Sequence, residues 1–263
     1  MDLGLKDKVA LVAAASRGLG KAVALQLARE GARVAICSRA QSAIDAAAAD
    51  IRHQTGAEVI GVAADVTRAS DVRDLARKTT GAFGAIDILV TNAGGPPAGQ
   101  AAEFDVDDYR AAVELNLMST IALCYEVLPG LKERRWGRIV AITSVAARQP
   151  IDHLILSNTA RAGVLGFVKT LAAQVATSGI TVNAVCPGYT DTERIQELAA
   201  MFAASGKGTV EEFYRRIEVE VPMKRMGTPQ EFADAVAFLA STRASYITGV
   251  ALPIDGGYVK ALY

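Results

Sequence analysis

A chain of 263 residues is long enough to bury most of its surface around one core, and it sits at the upper edge of single-domain size. Its 28 lysines and arginines balance 28 aspartates and glutamates, which argues against nucleic acid or an anionic membrane surface as a partner and leaves any phosphate recognition to local groups. With only His53 and His153 a histidine-rich metal site is not expected, and Cys37, Cys124 and Cys186, far apart and without CxxC spacing, read as free thiols of a reducing compartment. The start, "MDLGLKDK", lacks the basic-then-apolar layout of a secretion signal, and no run reaches the roughly 18 apolar residues of a membrane span. A soluble, cytoplasmic protein is the expectation.

In chain order, the first apolar run is "KVALVAA", followed by the helical pattern "LGKAVALQLAREG". Between them lies "AAASRGLGKA", residues 13–22, where Gly18 and Gly20 stand close together at a helix start. Such a turn either cradles a diphosphate on backbone N–H groups or simply lets helix and strand pack tightly. The second run, "RVAICS", ends at Ser38 and Arg39, with no acidic residue there to take the hydroxyls of an adenosine ribose. A hydroxyl and a guanidinium suit a 2′-phosphate instead, and Arg17 in the glycine turn can reach the same region, so NADP(H) is expected over NAD(H).

The alternation continues with "EVIGVAAD" before "ASDVRDLARKTTGAFG", then "DILVTNAG" before the long pattern "DVDDYRAAVELNLMSTIALCYEVLPGLKERRW". "GRIVAITS" precedes "SNTARAGVLGFVKTLAAQVATSG", and "ITVNAVCPG" leads into a polar-flecked segment over 190–226. Apolar runs without a polar face, separated by helices, mean parallel strands covered on both sides. Gly31, Gly56 and Gly179 stand where left-handed helix ends are wanted. The pattern predicts one doubly wound α/β domain over 1–263, a Rossmann fold with about seven parallel strands running unbroken from Val9 to about Ile254 and helices on both faces.

Taken together these motifs resemble the short-chain dehydrogenase/reductase family, most closely its β-ketoacyl-acyl-carrier-protein reductase branch. The family's T-G-x-x-x-G-x-G turn stands here as Ala13, Ala14, Gly18 and Gly20, with Ser16, Arg17 and Leu19 between them. Ala13 removes a hydroxyl and Ala14 adds a methyl group. The resemblance implies cofactor contacts at Asp65 and Val66 on the adenine side, at Asn92, Ala93 and Gly94, and at Pro187, Gly188 and Thr192 in "PGYTDT". It implies a homodimer or homotetramer through the long central helices and the C-terminal "DGG" region, and a lid over the substrate at 190–226. The lid's apolar stripe is either an acyl pocket or packing on the body, and its basic residues Arg194, Lys207, Arg215 and Arg216 read as a solvated face before a dock for an acidic carrier protein.

The family's active site places a serine on the carbonyl, a tyrosine as proton donor, a lysine four residues later on the ribose, and an asparagine behind a water chain. Ser144 and Asn116 match two of these. Counting on from Ser144, Ser157 falls in the tyrosine position and Arg161 in the lysine position, and no tyrosine occurs between Tyr125 and Tyr189. An aliphatic hydroxyl is a poor acid beside a phenol, and a guanidinium holds its proton near neutral pH, so Arg161 is expected to bind ribose without relaying protons. His153, Tyr189 or a water held by Ser144, Asn116 and Ser157 are the remaining donors; the first reads as an exposed loop residue and the second as a packing residue. Two functions follow. One is an NADP(H)-dependent oxidoreductase interconverting a carbonyl and an alcohol, on a small-molecule or acyl-thioester substrate, with an atypical site. The other is a non-catalytic NADP(H)-binding sensor or assembly partner.

Overall fold

A computed structural model describes residues 1–262. Its strands are β1 (Val9–Val12), β2 (Arg33–Ser38), β3 (Val59–Ala63), β4 (Ile88–Thr91), β5 (Gly137–Ile142), β6 (Ile180–Pro187) and β7 (Ala251–Ile254). Its α-helices are α1 (Gly18–Arg29), α2 (Gln41–Thr55), α3 (Ala69–Phe83), α4 (Val106–Val113), α5 (Ser119–Arg134), α6 (Ile155–Val175), α7 (Glu193–Ala204), α8 (Val210–Glu220) and α9 (Pro229–Ala240). The seven strands form one parallel sheet in the order β3-β2-β1-β4-β5-β6-β7.

Successive side chains of a strand point to opposite faces, so a strand covered on both sides must be apolar at every position. That is what the runs do. Ala10, Val12, Val34 and Ile36 enter the core beneath α1, α2 and α9, while their neighbours Val9, Leu11, Ala35 and Cys37 enter the core beneath α3, α5 and α6. Gly31, Gly56 and Gly179 all take positive φ after helices, as the pattern predicts. The three cysteines are free and buried, and burial pushes the Cys37 and Cys124 thiols up to about 11 and about 12.

The long central pattern is a continuous helical path from Val106 to Arg134, broken in period by one π turn at Glu114–Met118. By length and composition alone this path could cross a bilayer, although Glu114, Glu126 and Lys132 interrupt its apolar run. It packs on α3, α6, β4 and β5 instead. The 190–226 segment carries α7 and α8, the second opened by a reciprocal cap between Thr209 and Glu212.

Chain direction across the sheet reverses between β1 and β4, since β2 and β3 lie to one side of β1 and β4 to β7 to the other. In an open parallel sheet the helical crossovers part at that point, leaving a crevice beyond the strands' carboxyl ends. Residues 13–20, 38–39, 65–66, 92–94, 144 and 187–192 all follow carboxyl ends of strands, so one edge of the sheet collects them.

Candidate active site

One wall of the crevice is built from backbone. Ala14 takes φ 48, a left-handed conformation that an L side chain enters at a cost of about 1–2 kcal/mol, so the turn holds this alanine under strain. Three contacts hold it there. Ala13 N donates to Val90 O at 3.0 Å, Ala15 N to Cys37 O at 2.9 Å, and the Asn92 amide to Ala14 O at 3.2 Å. A Cβ on Gly20 would stand 2.5 Å from Ala14 O, so the turn closes only on glycine. Arg17 is the N-cap of α1 and supplies no side-chain cap, which leaves the helix's first N–H groups for an anion.

Beside this turn, Ser38 ends β2 half-buried with its hydroxyl on Ala40 O at 3.2 Å, and Arg39 is exposed. Partial burial pushes the Asp65 carboxyl up, but Thr67, through its hydroxyl at 2.8 Å and its N–H at 3.1 Å, and the nearby Arg68 and Arg39 hold it below the usual range. Val66 is buried. Arg17 points elsewhere than the sequence suggests: its Nη1 lies 2.6 Å from Glu197 Oε1 on α7. The missing side chain of Gly20 and the exposed guanidinium of Arg39 fit a dinucleotide carrying a ribose phosphate.

The opposite wall is built from side chains. Ser144 follows β5 and opens the short turn Val145–Ala147, its Oγ accepting from Ala146 N at 3.1 Å. Ser157 and Arg161 lie one turn apart on α6 and are buried at 7% and 8% exposure. The Arg161 guanidinium donates to Thr143 O at 2.6 Å, next to Ser144 in sequence, and so ties α6 to the end of β5. Burial pushes its pKa down to about 10, which still leaves a cation at neutral pH. Thr143 Oγ1 in turn contacts the buried Cys186 Sγ at 3.2 Å. α6 packs on both the Ser144 turn and the π turn that carries Asn116. The π turn re-aims Asn116 so that its amide donates to Gly94 O at 3.0 Å while its buried Oδ1 has no partner among the described residues. An orphaned buried carbonyl oxygen facing a crevice suits an ordered water.

Of the other candidate donors, His153 is exposed at φ 61, its carbonyl accepting from Gly99 N at 2.7 Å. Tyr189 is half-buried, edge-on to Tyr258 with ring centroids 5.4 Å apart, and burial, with Tyr258 and Glu220 close by, drives its phenol well above the ordinary value. Pro187 closes β6, Gly188 lies where a Cβ would stand 2.7 Å from Asp255 Cβ, and Thr192 precedes α7 without a side-chain cap, its Cγ2 3.9 Å from the Cβ position of Gly18. Glu197, Thr143 and Tyr258 have no signal in the sequence: each becomes visible only through its partner.

The fold and this crevice define an oxidoreductase of the short-chain dehydrogenase/reductase type. Residues 13–259 match the family described as enoyl-(acyl carrier protein) reductase, and the chain belongs to that family. Among its relatives, 3-oxoacyl-[acyl-carrier-protein] reductase FabG of Vibrio cholerae is 36% identical over 255 residues, covering 97% of this chain and 98% of the relative. The 3-oxoacyl-[acyl-carrier-protein] reductase of Synechocystis sp. is 37% identical over 257 residues, with the same coverage. L-sorbose reductase from Gluconobacter frateurii, crystallised with NADPH and L-sorbose, superposes over all of both chains with a TM-score of 0.96 at 32% identity.

Proposed function

We propose that the chain is an NADP(H)-dependent carbonyl reductase with an atypical proton-transfer site, acting on a 3-oxoacyl thioester or a small ketone. The observation that carries this is the glycine turn, sealed at Gly20 against Ala14 O and flanked by Ser38 and Arg39. The 3-oxoacyl-carrier-protein reductases and the NADPH-bound sorbose reductase among its relatives support the same cofactor and a carbonyl substrate.

When bound, NADPH supplies a hydride from C4 of the nicotinamide. Gly18, Gly20 and the α1 N-terminus would hold its diphosphate, and Asn92, Ala93, Gly94, Pro187, Gly188 and Thr192 would contact the rest of the dinucleotide. Ser144 donates a hydrogen bond to the substrate carbonyl and so polarises it. Arg161 grips ribose hydroxyls with the N–H groups its bond to Thr143 O leaves over, and its fixed charge favours a developing alkoxide. A water between Asn116 Oδ1, Ser144 and Ser157 delivers the proton, slowly, because no positioned acid with a pKa near neutrality stands there. The exposed Met118 at the end of the π turn and Tyr125 on α5 favour a homodimer or homotetramer through the central helices, and the compartment consistent with three reduced thiols is the cytoplasm.

NADPH oxidation against ketones, sorbose and β-ketoacyl thioesters, run on the native protein and on Ser157→Tyr/Arg161→Lys, tests this. Turnover of one compound by both establishes an enzyme with another proton source. Turnover by the double variant alone leaves a dinucleotide-binding protein whose native chemistry has been lost.

A further inference from the structure

One ion pair of the crevice has no part in the proposed reaction. Arg17 in the glycine turn and Glu197 on α7 meet at 2.6 Å across the length of the chain, with side-chain exposures of 61% and 43%. At that exposure the pair is weak and exchangeable. Glu193, one turn earlier on α7, brings its Oε2 to 3.8 Å from where a Cβ on Gly18 would stand. The start of α7 therefore lays two carboxylates over a turn that is otherwise shaped for an anion.

Two further contacts make exchange of Arg17 inexpensive. Arg194 Nη1 lies 3.8 Å from Glu197 Oε2, so Glu197 keeps a cation when Arg17 leaves. Ala15 N donates to Cys37 O at 2.9 Å, which holds the turn that carries Arg17 against the end of β2, where Ser38 and Arg39 stand. A phosphate dianion accepts a guanidinium fork with two parallel hydrogen bonds and more charge than one carboxylate.

We propose that Glu197 is a specificity-determining residue: an internal anion that competes with the 2′-phosphate of NADP(H) for Arg17, so that preference for the phosphorylated dinucleotide is set by exchange of Arg17 between the lid and the cofactor. This rests on the NADP(H) assignment above. Arg39 is the permanent part of the phosphate seat and Arg17 the conditional part. NADH lacks the 2′-phosphate and cannot recruit Arg17 from Glu197.

Fluorescence titration of NADPH and of NADH into the full chain, into Glu197→Gln, into Arg17→Ala and into the double variant tests the exchange. Glu197→Gln is expected to tighten NADPH roughly two- to fivefold, the size of a weak exposed ion pair, and to leave NADH unchanged. Arg17→Ala is expected to weaken NADPH about tenfold and to abolish the effect of Glu197→Gln, since the coupling runs only through the guanidinium. Equal shifts for both dinucleotides, no shift in either, or a Glu197→Gln effect that survives in the Arg17→Ala background would each overturn the proposal. A lowered melting temperature without nucleotide, at an unchanged NADPH to NADH ratio, would likewise reduce the pair to a lid fastening. Binding of neither dinucleotide by the native chain removes the cofactor assignment itself, whereas tight NADPH binding with an unresponsive Glu197→Gln removes only this inference.

Discussion

The two walls of the crevice are made of different material. On the β1–β2 side, main-chain groups do the positioning: Ala14 O, Ala15 N and Cys37 O are fixed by strand ends, and the side chain that matters most at Gly20 is one that is missing. On the β5–α6 side, functional side chains carry the site, and their anchors are single bonds such as Arg161 to Thr143 O and Asn116 to Gly94 O. A wall of backbone keeps its shape even with a side chain at residue 14, where Ala14 holds a positive φ at modest strain. A wall of side chains depends on each group separately, because replacing one removes its hydrogen bonds outright. Dinucleotide binding is therefore the sturdier property and turnover the more fragile one.

The sharpest way to break this contrast is Gly20→Val. Its Cβ meets a carbonyl oxygen that three contacts hold in place, so NADPH affinity is expected to fall more than about a hundredfold; near-native binding in a fluorescence titration would show that the turn is softer than its contacts imply. Ser144→Ala probes the other wall. It is expected to lower kcat about a hundredfold on any substrate the panel finds while the NADPH Kd stays within about twofold, and a matching loss of affinity would put Ser144 in the binding wall instead.

Arg161 belongs to both walls. Arg161→Ala is expected to weaken NADPH about tenfold and, by orphaning Thr143 O, to destabilise the fold by about 1–3 kcal/mol, with Arg161→Lys recovering most of the affinity. Unchanged NADPH affinity alongside lost stability would make the residue a strut between α6 and β5 and nothing more. Ala14→Gly is the smaller, opposite test: relief of the left-handed strain is expected to add about 1 kcal/mol, or about 2–4 °C in Tm, without weakening NADPH.

The smallest effect lies outside the crevice, at the cap of α9. Hydrogen bonds from Arg225 and from Thr228 N hold the Glu231 carboxyl down at about 2, against an ordinary value of 4.5. A depressed folded value means a contribution present above about 4.5 and lost as pH falls toward about 2. Between those values the native Tm should fall slightly more steeply than that of Glu231→Gln; parallel curves would show the exposed pair to be silent.

Much of this was legible in the chain itself. The apolar runs at Val9–Val12 and Arg33–Ser38 could only be strands covered twice, and Gly18 and Gly20 marked a tight turn at the first crossover. The geometry of Ala14 was not legible, because alanine does not advertise a positive φ and its contact with Asn92, like those of its neighbours with Val90 and Cys37, comes from distant strands. The rotation of Asn116 depended on a π turn that no hydrophobic period reveals. Glu197 carried no signal at all, since only its contact with Arg17 picks it out.

By itself, then, the sequence determined the layers, the order of strands and helices, and the residue types at the carboxyl ends of the strands, because periodicity and glycine placement act over a few neighbouring residues. What only the tertiary structure decided was partnership. Arg161 turns onto Thr143, Tyr189 meets Tyr258, and Arg17 meets Glu197 across the whole chain, since a guanidinium or a phenol is satisfied by whichever group the fold carries within about 3 Å of it, and sequence spacing does not record that distance.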